Sequence, residues 1–61
     1  MELTKQTLRA NITLYRSKLV KAMEMKAEAL VNMNELEHIY WTAQEEQAIE
    51  ALTKYNELYN K

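Results

Sequence analysis

Apolar residues return every three or four positions along most of this chain, which is the period of a helix and not the two-residue alternation of a strand. The first stripe runs Leu8, Ile12, Tyr15, Leu19, Ala22, Lys26, Ala29, Met33, Leu36, Tyr40 and Ala43, in alternating steps of four and three. Lys26 is its single charged member; a polar residue on such a seam costs stability and fixes register or partner. Past Ala43 the phase changes. The second stripe is Ala48, Leu52, Tyr55 and Tyr59, extended backwards through Glu45 to Trp41. It is rotated from the first by one residue position, ~100° on a helix.

The phase change coincides with Thr42-Ala-Gln-Glu45, a T-x-x-E capping box followed by a second acid, Glu46, in the first turn. These signals predict a first helix over about 4–40 and a second over about 43–60. The alternative is a turn at Asn32-Met33-Asn34, with Asn32 in a left-handed conformation and Asn34 opening a capping box with Glu37. One unbroken helix is a third arrangement. At the other end Thr4 is the expected N-cap, with Leu3 and Leu8 at staple spacing around it.

No glycine and no proline occur in the 61 residues, so neither of the strong backbone punctuators is present. The expected fold is all-α: a single domain, 1–61, forming a hairpin of two antiparallel helices. A domain of about 60 residues buries only about 60% of its unfolded surface. Chains this small normally need a staple. With no cysteine, disulfides and thiolate metal sites are excluded. The expectation is a core completed by oligomerisation or by docking on a partner. A break at Thr42 would leave Leu8, Ile12, Tyr15 and Leu19 without an internal partner. They are therefore candidate partner-binding residues, together with Tyr40 and Trp41, aromatic types enriched in interface hot spots. Tyr40 and Trp41 are adjacent and point ~100° apart on a helix, so one core cannot readily absorb both.

The start of the chain lacks the basic-then-apolar pattern of a signal peptide, and its Met1 reads as the natural initiator. No apolar run exceeds three residues, as in Ile39-Tyr40-Trp41, which is far short of a membrane span. A cytoplasmic protein is expected, with no membrane association. The net charge of −1 conceals an asymmetry: residues 1–31 hold six basic and three acidic side chains, and residues 32–61 two basic and six acidic. The favoured reading is a basic helix lying against an acidic one.

Little of the sequence carries reaction chemistry. His38 is the only histidine and Ser17 the only serine, and there is no glycine-rich phosphate loop, so catalysis is not expected. Glu35-Leu-Glu-His38 has the Glu-x-x-His spacing of carboxylate-bridged metal sites in helical bundles. Both residues fall beside the stripe and not inside it, so the favoured reading has no metal and no cofactor. Lys5, Arg9, Arg16, Lys18 and Lys21 flank the first stripe and form the candidate nucleic-acid surface, since a basic helix can follow phosphates.

In size and helical character the chain resembles the Rop family of plasmid copy-number regulators, helical hairpins whose dimers bind an RNA–RNA kissing complex. That likeness is architectural and rests on no shared motif. Ile12-Thr-Leu-Tyr-Arg16-Ser-Lys-Leu19 and Asn34-Glu-Leu-Glu37 are similar to the I-x-x-L-R-x-x-L and S-Q-E-L-D patterns of the sporulation aspartyl-phosphate phosphatases. The chain departs from them at Met33-Asn34 in place of S-Q, at Glu37 in place of the aspartate, and in lacking a glycine turn. Neither family is adopted. The expected function is a small non-catalytic regulatory or adaptor protein that binds a protein partner through an amphipathic helical surface. A Rop-like dimeric nucleic-acid binder is the alternative, and a Glu-x-x-His metal-binding bundle the second alternative.

Overall fold

The computed structural model describes residues 4–61. Among them the chain forms two antiparallel helices, α1 over Lys5–Val31 and α2 over Glu35–Tyr59. It is thus an all-α helical hairpin, with arms of 27 and 25 residues. The molecule measures 43 × 19 × 13 Å. At 1.5 Å per residue and about 10–12 Å diameter, each helix runs nearly the full length, and the assembly is one helix thick.

The turn lies at Asn32, Met33 and Asn34, not at Thr42. Asn32 N–H still donates to Glu28 O at 2.9 Å, so α1 retains its hydrogen-bond pattern through that residue. Met33 N–H then donates to Leu30 O at 3.1 Å and Asn34 N–H to Ala29 O at 2.9 Å. This double closure is the Schellman pattern, which needs a left-handed residue between the two donors' carbonyl partners and the next segment. Met33 supplies it at φ 55°. Asn32, the residue expected to do so, remains right-handed at φ −83° and ψ 0°.

Asn34 caps α2: its side chain accepts from Glu37 N at 3.2 Å, and Glu35 and Glu37 place acids in the first turn, where the helix dipole favours them. Only half of the expected capping box is built. The Asn34 N–H that Glu37 would have engaged is already committed to Ala29 O. At the other end Thr4 caps α1 as expected, accepting from Thr7 N at 3.2 Å. The expected staple involves Leu3, which lies outside the described residues.

Thr42 sits inside α2, where its hydroxyl donates to His38 O at 2.7 Å. A threonine hydroxyl that bonds the carbonyl four residues back is satisfied within a helix and need not cap one. Glu45, the other half of the apparent box, turns to α1 instead. The stripes explain the misplacement. Leu8 through Ala29 of the first stripe do face α2, with Leu8, Ile12, Ala22 and Ala29 buried. Its last four members keep the spacing but not the burial: Met33, Leu36, Tyr40 and Ala43 are all exposed. The three-residue turn resets the helical phase, and the inward face of α2 is the second stripe, half-buried at Trp41, Glu45, Leu52, Tyr55 and Tyr59 and buried at Ala48.

The buried set is small. Among the described residues it consists of Leu8, Ile12, Ala22, Ala29 and Ala48, and three alanines contribute little apolar volume. Larger side chains of the seam are only partly covered, because a single layer of two helices has no enclosed interior.

Candidate functional site

Three kinds of chemistry are distributed along the hairpin. Its middle is polar and aromatic. Lys26 Nζ donates to Glu45 Oε1 at 3.1 Å across the seam, with both side chains partly withdrawn from solvent. It is the one ion pair among the described residues, so the charge asymmetry of the two arms is expressed as a single bridge. Nearer the open end Tyr15 stacks on Tyr55, ring centroids 5.7 Å apart and planes at 30°. Lys5 lies 5.4 Å above the Tyr59 ring and Lys18 4.9 Å above that of Tyr15. These ammonium groups cover the rims of the aromatic seam, a favourable placement for a cation on a ring face.

The candidate partner-binding residues divide. Leu8 and Ile12 are buried within the hairpin and Tyr15 and Leu19 are half-buried. The expectation that these four lack an internal partner is corrected: with the turn at Asn32–Asn34, α2 extends to Tyr59 and covers them. Tyr40 and Trp41 differ in exposure although their rings touch. Trp41 turns inward and is half-buried, while Tyr40 is 55% exposed. Their rings meet edge to face at 4.9 Å and 85°.

The five basic residues do not form one stripe. Arg9 and Arg16 line one groove with Thr13 and Asn56. Lys18 and Lys21 line another, with Trp41 and Gln44, and Arg16 and Lys21 share a third, shallow depression with Glu24. Lys5 is placed over Tyr59. Glu35 and His38 line a shallow depression with Ala29, Leu30 and Met33. Among the described residues no group of three or more metal-ligating side chains assembles.

An apolar surface lies at the turn, and of its residues only Tyr40 was a candidate partner-binding residue. Leu30, Val31, Met33, Leu36, Ile39 and Tyr40 are all exposed, Val31, Met33 and Leu36 by 80% or more. With Val20 and Met23 they make eight of the ten large apolar side chains left in solvent among the described residues, and all eight fall between residues 20 and 40. The distribution is therefore concentrated and not the scatter of single apolar residues normal on a surface. The signal was present in the sequence, since Leu30, Val31 and Ile39 belong to neither stripe.

No described helix is long and apolar enough to cross a membrane. Compared with protein-family models, with curated proteins and with solved structures, the sequence and fold find no match.

Proposed function

We propose that this chain is a small non-catalytic protein-binding module that docks through the turn end of its hairpin. One observation carries the reading: six large apolar side chains stand exposed between Leu30 and Tyr40, on a molecule whose buried set includes three alanines. Burying apolar surface is the main favourable term in protein association, at roughly 25 cal/mol per Å² removed from water. The turn end supplies that surface, and the Asn34 cap and the Schellman closure hold its backbone in one conformation. A helical partner, either another protein or a second copy of the chain, can cover it. The proposed setting is the cytoplasm, with which the lack of cysteine is compatible.

The test replaces Leu36, 81% exposed, by Asp. Sedimentation across a concentration series measures self-association, and affinity capture from the native cell measures docking on other proteins. Leu36→Asp should abolish one or both while circular dichroism stays that of the parent. Unchanged association in both measurements would remove the turn end as the interface.

A further inference from the structure

We propose that the groove between α1 and α2 lined by Tyr15, Lys18, Lys21, Trp41, Gln44 and Gln47 binds single-stranded nucleic acid, with a base stacked on its aromatic floor and phosphates held by the two lysines. The groove encloses a volume of about 370 Å³. That falls at the lower end of the ~300–1,000 Å³ of small-ligand sites and suits one nucleotide unit. Ala48 at its base keeps the floor open, because alanine adds no side chain beyond its methyl.

The composition of the lining selects the ligand. The chain carries nine acidic residues and a net charge of −1, yet none of those acids lines this groove. Lys18 and Lys21 are one helical turn apart on α1, are exposed, and form no ion pair among the described residues. Neither ammonium group is neutralised by a carboxylate there. The Lys18 ammonium stands 4.9 Å above the Tyr15 ring, so cation and aromatic face are presented together. Tyr15 is stacked on Tyr55 and covered by Lys18, so Trp41 supplies the flat π-surface on which a base stacks without regard to sequence, beside cations that follow the backbone. No hydrogen bond engages the Gln44 or Gln47 side chain among the described residues. Each amide can therefore give and accept at a base edge. A duplex offers no free base face, which restricts the fit to single strands and nucleotides. The groove uses none of the six exposed apolar residues at the turn, so this site stands apart from the proposed docking surface.

Trp41 is the sole tryptophan and reports directly on stacking. The full chain is titrated with a ten-nucleotide oligouridylate, with uridine monophosphate, with a duplex of equal length and with poly-glutamate, following tryptophan fluorescence. The oligouridylate should quench saturably, and its affinity should fall with salt at a log–log slope of about −1.4, the value for two phosphates on a single strand. Lys18→Gln with Lys21→Gln should weaken binding by about tenfold or more and flatten that slope, with helicity unchanged. Arg9→Gln, on the other groove, should leave binding unaltered. Uridine monophosphate binding as tightly as the oligomer would assign the site to free nucleotides, with the same groove chemistry. Absence of saturable quenching, equal response to duplex or poly-glutamate, or full affinity in the folded lysine variant would overturn the proposal.

Discussion

Lys26 and Glu45, nineteen residues apart in sequence, meet across the helix seam at 3.1 Å, the one charged member of each stripe finding the other. The side chains keep 33% and 19% of their surface in solvent. A pair of this kind lies between exposed bridges, worth about 0–1 kcal/mol, and buried ones, where loss of one partner costs about 3–5 kcal/mol. Lys26→Ala should therefore lower stability by about 1–2 kcal/mol in urea melts. Lys26→Leu with Glu45→Leu should restore or exceed the parent, since two apolar residues need no partner charge. A double variant less stable than the single would show that the bridge itself, and not relief of an unpaired charge, holds the register.

Met33 holds a left-handed backbone at φ 55° without being glycine. That conformation costs an ordinary L-residue roughly 1–2 kcal/mol, against a smaller entropic penalty for glycine in the unfolded chain. Met33→Gly should raise the unfolding free energy by about 0.5–1 kcal/mol. It also removes a side chain that is 89% exposed, so the same variant should dock more weakly while melting higher. A lower melting temperature would place the reversal at another residue.

Asn34 and Thr42 both look like caps in the sequence, and only Asn34 caps a helix. Asn34→Ala should cost about 1 kcal/mol through loss of the bond from Glu37 N–H. Thr42→Ala should be within a few tenths of a kcal/mol of neutral, since alanine is the better interior residue and the lost bond is local. The reverse order in thermal melts would move the turn back to Thr42.

Leu19 and Leu36 belong to the same sequence stripe but to different environments, half-buried in the seam and 81% exposed at the turn. Leu19→Asp should destabilise the hairpin by about 2–3 kcal/mol, because a carboxylate at the seam loses water without gaining a partner. Leu36→Asp should change folding stability by less than about 0.5 kcal/mol. Equal losses of helicity in the two would mean that the turn end is buried in the folded assembly.

The fold class was legible because periodicity reports directly on which face of a helix is covered. The N-cap at Thr4 and the inward set from Leu8 to Ala29 were legible on the same ground. The turn was harder to place because Met33, Leu36, Tyr40 and Ala43 continue the spacing of α1 after the chain has reversed. Spacing carries no information on whether a partner is present. The decisive contacts were not encoded by residue type: Asn34 N–H to Ala29 O is a backbone bond, and the Thr42 hydroxyl can bond the His38 carbonyl in a helix as well as cap one. The candidate surface was obscured for the same reason: residues assigned to the seam proved to be its exposed continuation. That Arg9 and Lys18 fall in different grooves could not be read from one helix, because Trp41, Gln44, Asn56 and Tyr59 reach them from the other arm.

The three-residue turn also orders the way the hairpin can assemble. The Lys26–Glu45 bridge closes a loop of 19 residues, whereas the Tyr15–Tyr55 stack spans about twice that separation. Each doubling of loop length adds only about 0.6 kcal/mol of closure entropy, and that increment vanishes once the inner contact is made. Closure can therefore advance from the turn outward, each contact shortening the search for the next, and opening can run in the opposite direction. Amide exchange should accordingly be fastest in the residues around Leu8 and Tyr59 and slowest beside Ala29 and Trp41. The end that presents the apolar docking surface is then also the last part of the hairpin to open.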